Sequence, residues 1–135
     1  MPSDFYFNLD WGKEYFSSRK NTFHRQNEKS IDSVKVKLTE LEKLKAYKLI
    51  HDFQFDSFPE SFENNSKEIP VHVGEYPLKI AVHQNGKLKT VSYDTRNVTL
   101  YKKDNAKPFL ELLKSLSEIV KEKEAVKKMQ YSSID

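Results

Sequence analysis

The side chains best able to do acid–base or metal chemistry in this sequence are its histidines, and there are four of them: His24, His51, His72 and His83. A zinc site needs three or four ligands at recognisable spacing. His72 has a carboxylate, Glu75, three residues along, but Gly74 and Pro77 argue against the helix that would bring the pair together. We therefore predict neither a metal site nor a bound cofactor.

A second candidate is the run Asp94-Thr95-Arg96, the one place where a carboxylate, a hydroxyl and a guanidinium adjoin. We interpret it as the polar end of a strand, with Asp94 capping a turn. No nucleophile elbow, phosphate loop or zinc-protease motif accompanies it, so an enzyme is the less favoured interpretation. In the alternative hypothesis of a small ligand-binding protein or enzyme, His72, Asp94 and Arg96 would bind the ligand near a long polar loop at residues 59–77.

Composition excludes several classes of function. The 135 residues fit a single domain. The 23 basic residues nearly balance the 20 acidic ones, giving a net charge of +3, and lysines interleaved with carboxylates predict no nucleic-acid binding. Cysteine is absent, which excludes disulfides and thiolate chemistry. No apolar run approaches 18 residues, so we predict no transmembrane segment.

Alternation of apolar and polar residues predicts several strands in the first third of the chain. Residues 5–9 alternate, residues 14–18 and 22–25 flank a turn, and residues 34–38 alternate again. Asn21 lies in that turn, where a positive φ suits asparagine.

Three aromatic residues near the start are candidates for an interaction surface: Tyr6, Trp11 and Tyr15. If they emerge on one surface, they form an amphipathic contact patch of the kind enriched at protein interfaces. Flat packing within the sheet is the competing interpretation.

A capped helix follows these strands. Thr39 and Glu42 match a capping box, and the apolar residues that recur behind it at near-helical spacing are Leu41, Leu44, Tyr47, Ile50 and Phe53. The phenylalanines from Phe53 to Phe62 then either seal the core or form a patch for a partner. We favour the core. A short strand at residues 71–73 is a further expectation.

Asn85-Gly86 between two alternating runs predicts a two-residue hairpin. Its register places five apolar side chains on one face: Leu78, Ile80, Val82, Val91 and Tyr93. We expect His83 on the opposite, solvated face. The last helix is expected to open at Asn105 or Lys107, with Pro108 in its first turn, and residues 121–135 to form a charged end that frays.

These elements predict an α+β fold for residues 1–135 as a single domain. It is an antiparallel sheet of about five to six strands, built from β-hairpins, with two helices packed on one face.

The order of segments resembles small uncharacterised bacterial proteins of the Bacteroidetes type, which are envelope or lipoprotein domains. The matching stretches are residues 15–23, 38–53, 58–59 and 87–93. The resemblance implies a mature envelope domain, often tethered by a lipid, with no assigned activity. It leaves two locations open. One is the periplasm or a lipid anchor, with the signal removed. The other is the cytoplasm, because residues 1–10 lack the basic and apolar regions of a secretory signal.

Together these observations predict a non-catalytic binding or protein-interaction domain. Its partner would be an unknown protein or small ligand, and the chain would be a monomer or a weak homodimer. A structural subunit that oligomerises through its sheet edge or through the Tyr6–Trp11 segment is a third hypothesis.

Overall fold

The computed structural model describes residues 1–62, 78–93 and 103–132, and these form a sheet with helices on one side. The strands are β1 (Tyr6–Asp10), β2 (Glu14–Ser17), β3 (Thr22–Gln26), β4 (Ile31–Lys35), β5 (Ser61–Phe62), β6 (Leu78–Gln84) and β7 (Lys87–Tyr93). The helices are α1 (Glu40–Asp52), α2 (Lys103–Lys121) and α3 (Glu124–Ser132). The predicted α+β class is confirmed.

The strand order is β4-β3-β2-β1-β6-β7-β5. Six strands pair antiparallel, and the two-residue β5 joins the end of β7 in parallel. β1 is the fourth of the seven strands in this order, and it pairs with β2 on one side and with β6 on the other. The amino-terminal meander and the later hairpin are thereby joined into one sheet.

The hairpin β6–β7 has the predicted turn and register. Asn85 and Gly86 both have positive φ, of 53° and 74°, as a type I′ turn requires. Ile80 pairs with Val91, and Leu78 pairs with Tyr93. The predicted turn at Asn21 is also present, with φ of 56°.

The hydrophobic core lies between the sheet and the helices. Phe7 and Leu9 of β1 are fully buried, since alternate residues of a strand point to the same face. α2 covers them with its own buried stripe: Ala106, Phe109, Leu112, Leu113, Leu116, Ile119 and Val120. No described helix lies on the opposite side of the sheet, which we call the open face.

α1 begins with the predicted capping box, in which the Thr39 hydroxyl accepts from the Glu42 amide and the Glu42 carboxylate accepts from the Thr39 amide. The predicted apolar stripe was wrong at its first member, because Leu41 is 80% exposed while Ile50 is buried. Leu41 and Ile50 are nine residues apart, and a rotation of about 100° per residue places them on opposite sides of the helix.

Two expectations for the last helices were also wrong. α2 begins at Lys103, so Pro108 lies inside the helix and not in its first turn. Residues 124–132 form a third helix instead of a fraying end, and Val126 and Met129 are buried against the core. These two side chains, with the partly buried Ala125, dock the short helix on the core.

The aromatic segment after α1 belongs to the core. Phe55 and Phe58 are buried, with their ring centroids 5.6 Å apart, around a 3-10 turn at Phe55–Ser57. The strand predicted at residues 34–38 occupies residues 31–35, with Val36 and Leu38 still buried beyond it. The strand expected at residues 71–73 lies outside the described residues.

Candidate interaction surface

The open face is formed by six antiparallel strands, and Ser17 in its middle is buried. Two rows of side chains cross it in register: Ser33, His24, Tyr15, Asp10, Lys79 and Ser92 in one, and Lys35, Thr22, Ser17, Asn8, Ala81 and Thr90 in the other. Its composition is polar and aromatic, which contrasts with the aliphatic and phenylalanine-rich face under the helices.

Tyr6 and His83 form the first aromatic pair on the open face. They are direct neighbours across β1 and β6, and their rings stack with centroids 4.7 Å apart and planes within 8°. The Arg19 guanidinium, in the turn after β2, lies over the Tyr6 ring at 5.4 Å from its centroid. This stack keeps a cation, a phenol and an imidazole together at one edge of the open face.

His83 is held from its other side by the segment before β1. Its Nδ1 lies 2.9 Å from the Asp4 carbonyl oxygen and 3.7 Å from the Asp4 carboxylate. That carboxylate accepts hydrogen bonds from the amides of Gly86 and Asn85, at 2.7 and 2.9 Å. The two amides, Gly86 first, lower the pKa of Asp4. Asp4 thus ties the chain start to the hairpin turn and fixes the imidazole.

Tyr15 and His24 form the second aromatic pair. They face each other across β2 and β3, with ring centroids 6.2 Å apart, and Tyr15 is among the exposed large side chains. Burial of the hydroxyl, followed by the Asp10 carboxylate, raises the pKa of Tyr15.

Basic groups outnumber acidic ones among the charged strand and turn residues assigned to this face. Lys35 and Lys79 lie at register positions on the open face, and Arg19 joins them above Tyr6. Asp10 is the strand carboxylate that faces them. The surface is thus mildly basic around two aromatic–imidazole pairs.

Trp11 does not share this surface with Tyr6 and Tyr15. Its indole Nε1 donates to the Ser117 hydroxyl of α2 at 2.6 Å, and its ring packs at 6.0 Å from the buried Phe23 ring. Lys121 lies 4.9 Å from the centre of the indole ring. Trp11 therefore lies on the helix side of the sheet.

A small ion cluster adjoins Trp11 on that side. The Glu14 carboxylate accepts hydrogen bonds from Arg25 at 2.6 Å and from Lys121 at 2.9 Å. Burial raises the pKa of Glu14, but the hydrogen bonds from Lys121 and Arg25 outweigh it and leave the pKa lowered. All three groups are paired with each other, so the cluster joins α2 to the sheet and leaves no group open for a ligand.

The other predicted site residues, His72, Asp94 and Arg96, lie outside the described residues. Their role in ligand binding stays a prediction. Within the described ranges, no three His, Asp or Glu side chains converge as a metal site would require. Two of the remaining histidines, His24 and His83, lie on the open face, and His51 lies at the end of α1.

Comparison of the chain with protein-family models, with curated proteins and with solved structures gives no match. None of the described helices combines the length and apolar character needed to cross a bilayer. The function must therefore be argued from the chain itself.

Sequence reasoning missed Arg19, His24 and His83 as members of the candidate surface. Strand alternation placed His83 opposite the apolar stripe, and that position is confirmed. The stack with Tyr6 depends on the pairing of β1 with β6, which are about 70 residues apart in the chain. No local pattern specifies such a pairing.

Proposed function

We propose that this chain is a non-catalytic protein-interaction domain that binds its partner through the open face of the sheet. The observation that carries the proposal is the pair of aromatic–imidazole stacks, Tyr6 with His83 and Tyr15 with His24, on a face that no described helix covers. Tyrosine provides large contact area at low conformational cost, which is why it is enriched at interfaces.

The charge of the open face selects the partner. The basic side chains Arg19, Lys35 and Lys79 outnumber the acidic side chain of Asp10. This charge favours a partner whose surface is rich in Asp and Glu beside apolar groups. Six strands spaced ~4.8 Å apart, each with about five residues at ~3.4 Å, give a flat area of roughly 24 Å by 17 Å. That area suits a small, transient interface.

Site-specific photo-crosslinking tests the proposal. A photoreactive phenylalanine analogue replaces Tyr15 or Ser33, both on the open face, and Lys114, an exposed residue of α2, as the control. We expect one and the same protein to be captured from both open-face positions and not from Lys114. Binding of that purified protein should then weaken with added salt.

Charge reversal sharpens the test. Arg19→Glu should weaken binding of the captured protein about fivefold, the effect expected when a contact of about 1 kcal/mol is lost. Lys114→Glu should leave it unchanged. Equal capture from Lys114, or preferential binding of single-stranded nucleic acid to the open face, would overturn the proposal.

The resemblance to envelope domains supports a finer proposal, that the interaction takes place in the bacterial cell envelope as part of a lipoprotein or periplasmic protein. Fractionation of cells that make the protein from its own gene tests it. Recovery with membranes or periplasm is expected, and recovery with the cytoplasm contradicts it.

The alternative of a small-ligand site near residues 59–77 is favoured by one observation. Glu60, at the start of that loop, lines a groove of about 770 Å³ with Tyr47, His51 and Asp56. A thermal-shift screen against sugars, nucleotides and peptides separates the two functions, because a ligand at about 100 times its Kd stabilises a protein by roughly 2.7 kcal/mol.

A further inference from the structure

The groove beside Glu60 lies at the edge of the sheet, between β7 and the end of α1. Tyr47 and His51 of α1 form one wall, Asp56 and Glu60 another, and Leu88 and Thr90 of β7 line the side formed by the sheet. A second hollow of about 450 Å³ adjoins it and shares His51 and Asp56. The groove lies at the strand edge and meets the open face at Leu88 and Thr90.

The outer edge of β7 presents to this groove backbone groups that pair with no described residue. Gln84 and Lys87 flank the two-residue turn, and in such a hairpin this pair exchanges both hydrogen bonds. Every second residue of β7 from Lys87 onward then bonds to β6, and the residues between them point outward. The Ser92 amide confirms this alternation, because it donates outward to the Glu60 carbonyl at 3.0 Å.

β5 covers only the last part of that edge. Its two residues pair with Ser92 and Tyr93, whereas Leu88 and Thr90 pair with β6 and with no second strand among the described residues. The amide and carbonyl groups of these two residues therefore face the groove, and Leu88 is 58% exposed. Unpaired strand edges of this kind accept an extended peptide as an additional strand.

The wall of the groove is held firmly. The Lys89 ammonium donates to the carbonyl oxygens of Asp56 and Phe58, each at 2.7 Å, and lies 5.7 Å from the centre of the Phe55 ring. Its contacts anchor the 3-10 turn to β7, so the groove is formed before any ligand arrives. Preorganisation of this kind lowers the cost of binding.

The charge of the wall indicates the occupant. Asp56 and Glu60 are exposed, and neither carboxylate forms an ion pair with a described residue. The carboxyl end of α1, with its partial negative charge, lies next to them. Lys87 and Lys89 also line the groove, and the Lys89 ammonium already donates to two backbone carbonyl oxygens. A Lys or Arg side chain of a bound peptide would complement the two carboxylates and the helix end.

We infer that the groove binds an extended peptide segment that adds as a strand alongside Leu88–Thr90 and places a basic side chain against Asp56 and Glu60. The backbone of β7 supplies the affinity, and the two carboxylates supply the preference for a basic residue. This surface adjoins the open face at Thr90, but it binds through the β7 backbone, Asp56 and Glu60, so each function can be present without the other.

The opposite edge of the sheet is less suited to this role. β4 also has an outward edge, but Lys35 lies within it, and Lys29 and Lys37 flank it. Lysines at a strand edge oppose pairing with another strand. Lysines also lie in β7, at Lys87 and Lys89, so the two edges differ in that the β7 edge adjoins a groove with two exposed carboxylates.

The test uses the full chain, labelled with ¹⁵N, and capped five-residue peptides of alternating Thr and Val with Lys, Glu or Ala at the centre. We expect the Lys peptide to shift the amide signals of Leu88 and Thr90 and to slow their hydrogen exchange. It should bind about tenfold more tightly than the Glu peptide. N-methylation of alternate peptide amides should abolish binding, because it removes the donors to the β7 edge.

A double variant tests the carboxylates. Asp56→Asn with Glu60→Gln should remove the preference for Lys over Glu while leaving the Ala peptide's affinity unchanged. The matched control is Glu28→Gln with Glu111→Gln, two exposed carboxylates elsewhere, which should keep the full preference. A spectrum with unchanged dispersion shows that each variant is folded.

Three results would overturn the inference: no binding at millimolar peptide, binding unaffected by N-methylation, or shifts centred on Tyr15 and His24. The last result places peptides on the open face and supports the proposed function. Failure of the crosslinking experiment leaves the Leu88 and Thr90 shifts unaffected, so the two proposals fail separately.

Discussion

The indole of Trp11 donates a hydrogen bond to the Ser117 hydroxyl at 2.6 Å, across 106 residues of sequence. This contact joins the turn after β1 to the carboxyl-terminal part of α2. Ser117→Ala leaves the half-buried indole N–H without its partner, and we expect a loss of about 1 kcal/mol in the free energy of unfolding. Urea denaturation, followed by the fluorescence of this single tryptophan, measures it.

The matched control for that variant is Ser115→Ala, two residues away on the same helix and similarly half-buried. Both substitutions raise helix propensity equally, so the difference between them reports the hydrogen bonds of the Ser117 hydroxyl, which accepts from the indole and donates to the Leu113 carbonyl. Equal unfolding midpoints for the two variants would show that the indole contact adds no stability.

Glu14 should make stability depend on pH in the acid range. Burial raises its pKa, but Lys121 and Arg25 outweigh that effect and hold the pKa below its ordinary value of 4.5. Its stabilising contribution is therefore complete above pH 4.5 and is lost as the pH falls through the lower folded-state value.

Glu14→Gln should cost about 1–3 kcal/mol at neutral pH, because Arg25, only 13% exposed, loses its charged partner. The loss should shrink as the pH falls below 4.5. Glu40→Gln is the control, since its ion pair with Lys43 is on the surface and should change stability by less than about 0.5 kcal/mol. Urea denaturation midpoints of the two variants and of the wild type, measured across the pH range, test both expectations. A stability difference between wild type and Glu14→Gln that does not change with pH would show that Glu14 is not the titrating group.

Titration of the Asp4 carboxylate should change the NMR signals of the hairpin turn. The amides of Gly86 and Asn85 hold its pKa below 3.8, so both hydrogen bonds persist above that pH and weaken as the pH falls through the folded-state value. NMR should show the two amide signals titrating together with a midpoint below 3.8. Asp4→Asn should abolish the titration, and amides that titrate unchanged in that variant would exclude Asp4 as the cause.

Local rules predicted the elements whose ends are fixed by short-range chemistry. Asn85-Gly86 specified the hairpin and its register, and Thr39 with Glu42 specified the start of α1. In each case a steric preference or a hydrogen bond spans at most four residues, so the sequence alone contains the information.

The wrong predictions concern residues whose stabilising contact lies far away in the sequence, or whose spacing fits more than one face of a helix. Repeated steps of three residues drift around a helix, which is how Leu41 was assigned to the buried stripe. α3 was missed because Val126 and Met129 are too few to give a periodic pattern, although the core buries both. Trp11 was grouped with the tyrosines because nothing near it in sequence indicates Ser117.

The candidate surfaces likewise contain residues that local sequence predicts and residues that only distant contacts bring together. Tyr6 and Tyr15 could be proposed from residue type and alternation, and both lie on the open face. The groove at β7 could not, because Asp56, Glu60 and Leu88 come together only after the 3-10 turn docks on the hairpin through Lys89.

The central position of β1 has a consequence for how a cell makes this protein. β1 leaves the ribosome about 70 residues before β6 is complete, which at about 5–20 residues per second is a wait of roughly 4–15 s. During that time the nascent meander has an unpaired edge at β1, beside Phe7 and Leu9 with no helix to cover them. The interval is long compared with the microseconds in which hairpins form, so synthesis itself sets the period in which this chain is most exposed to aggregation.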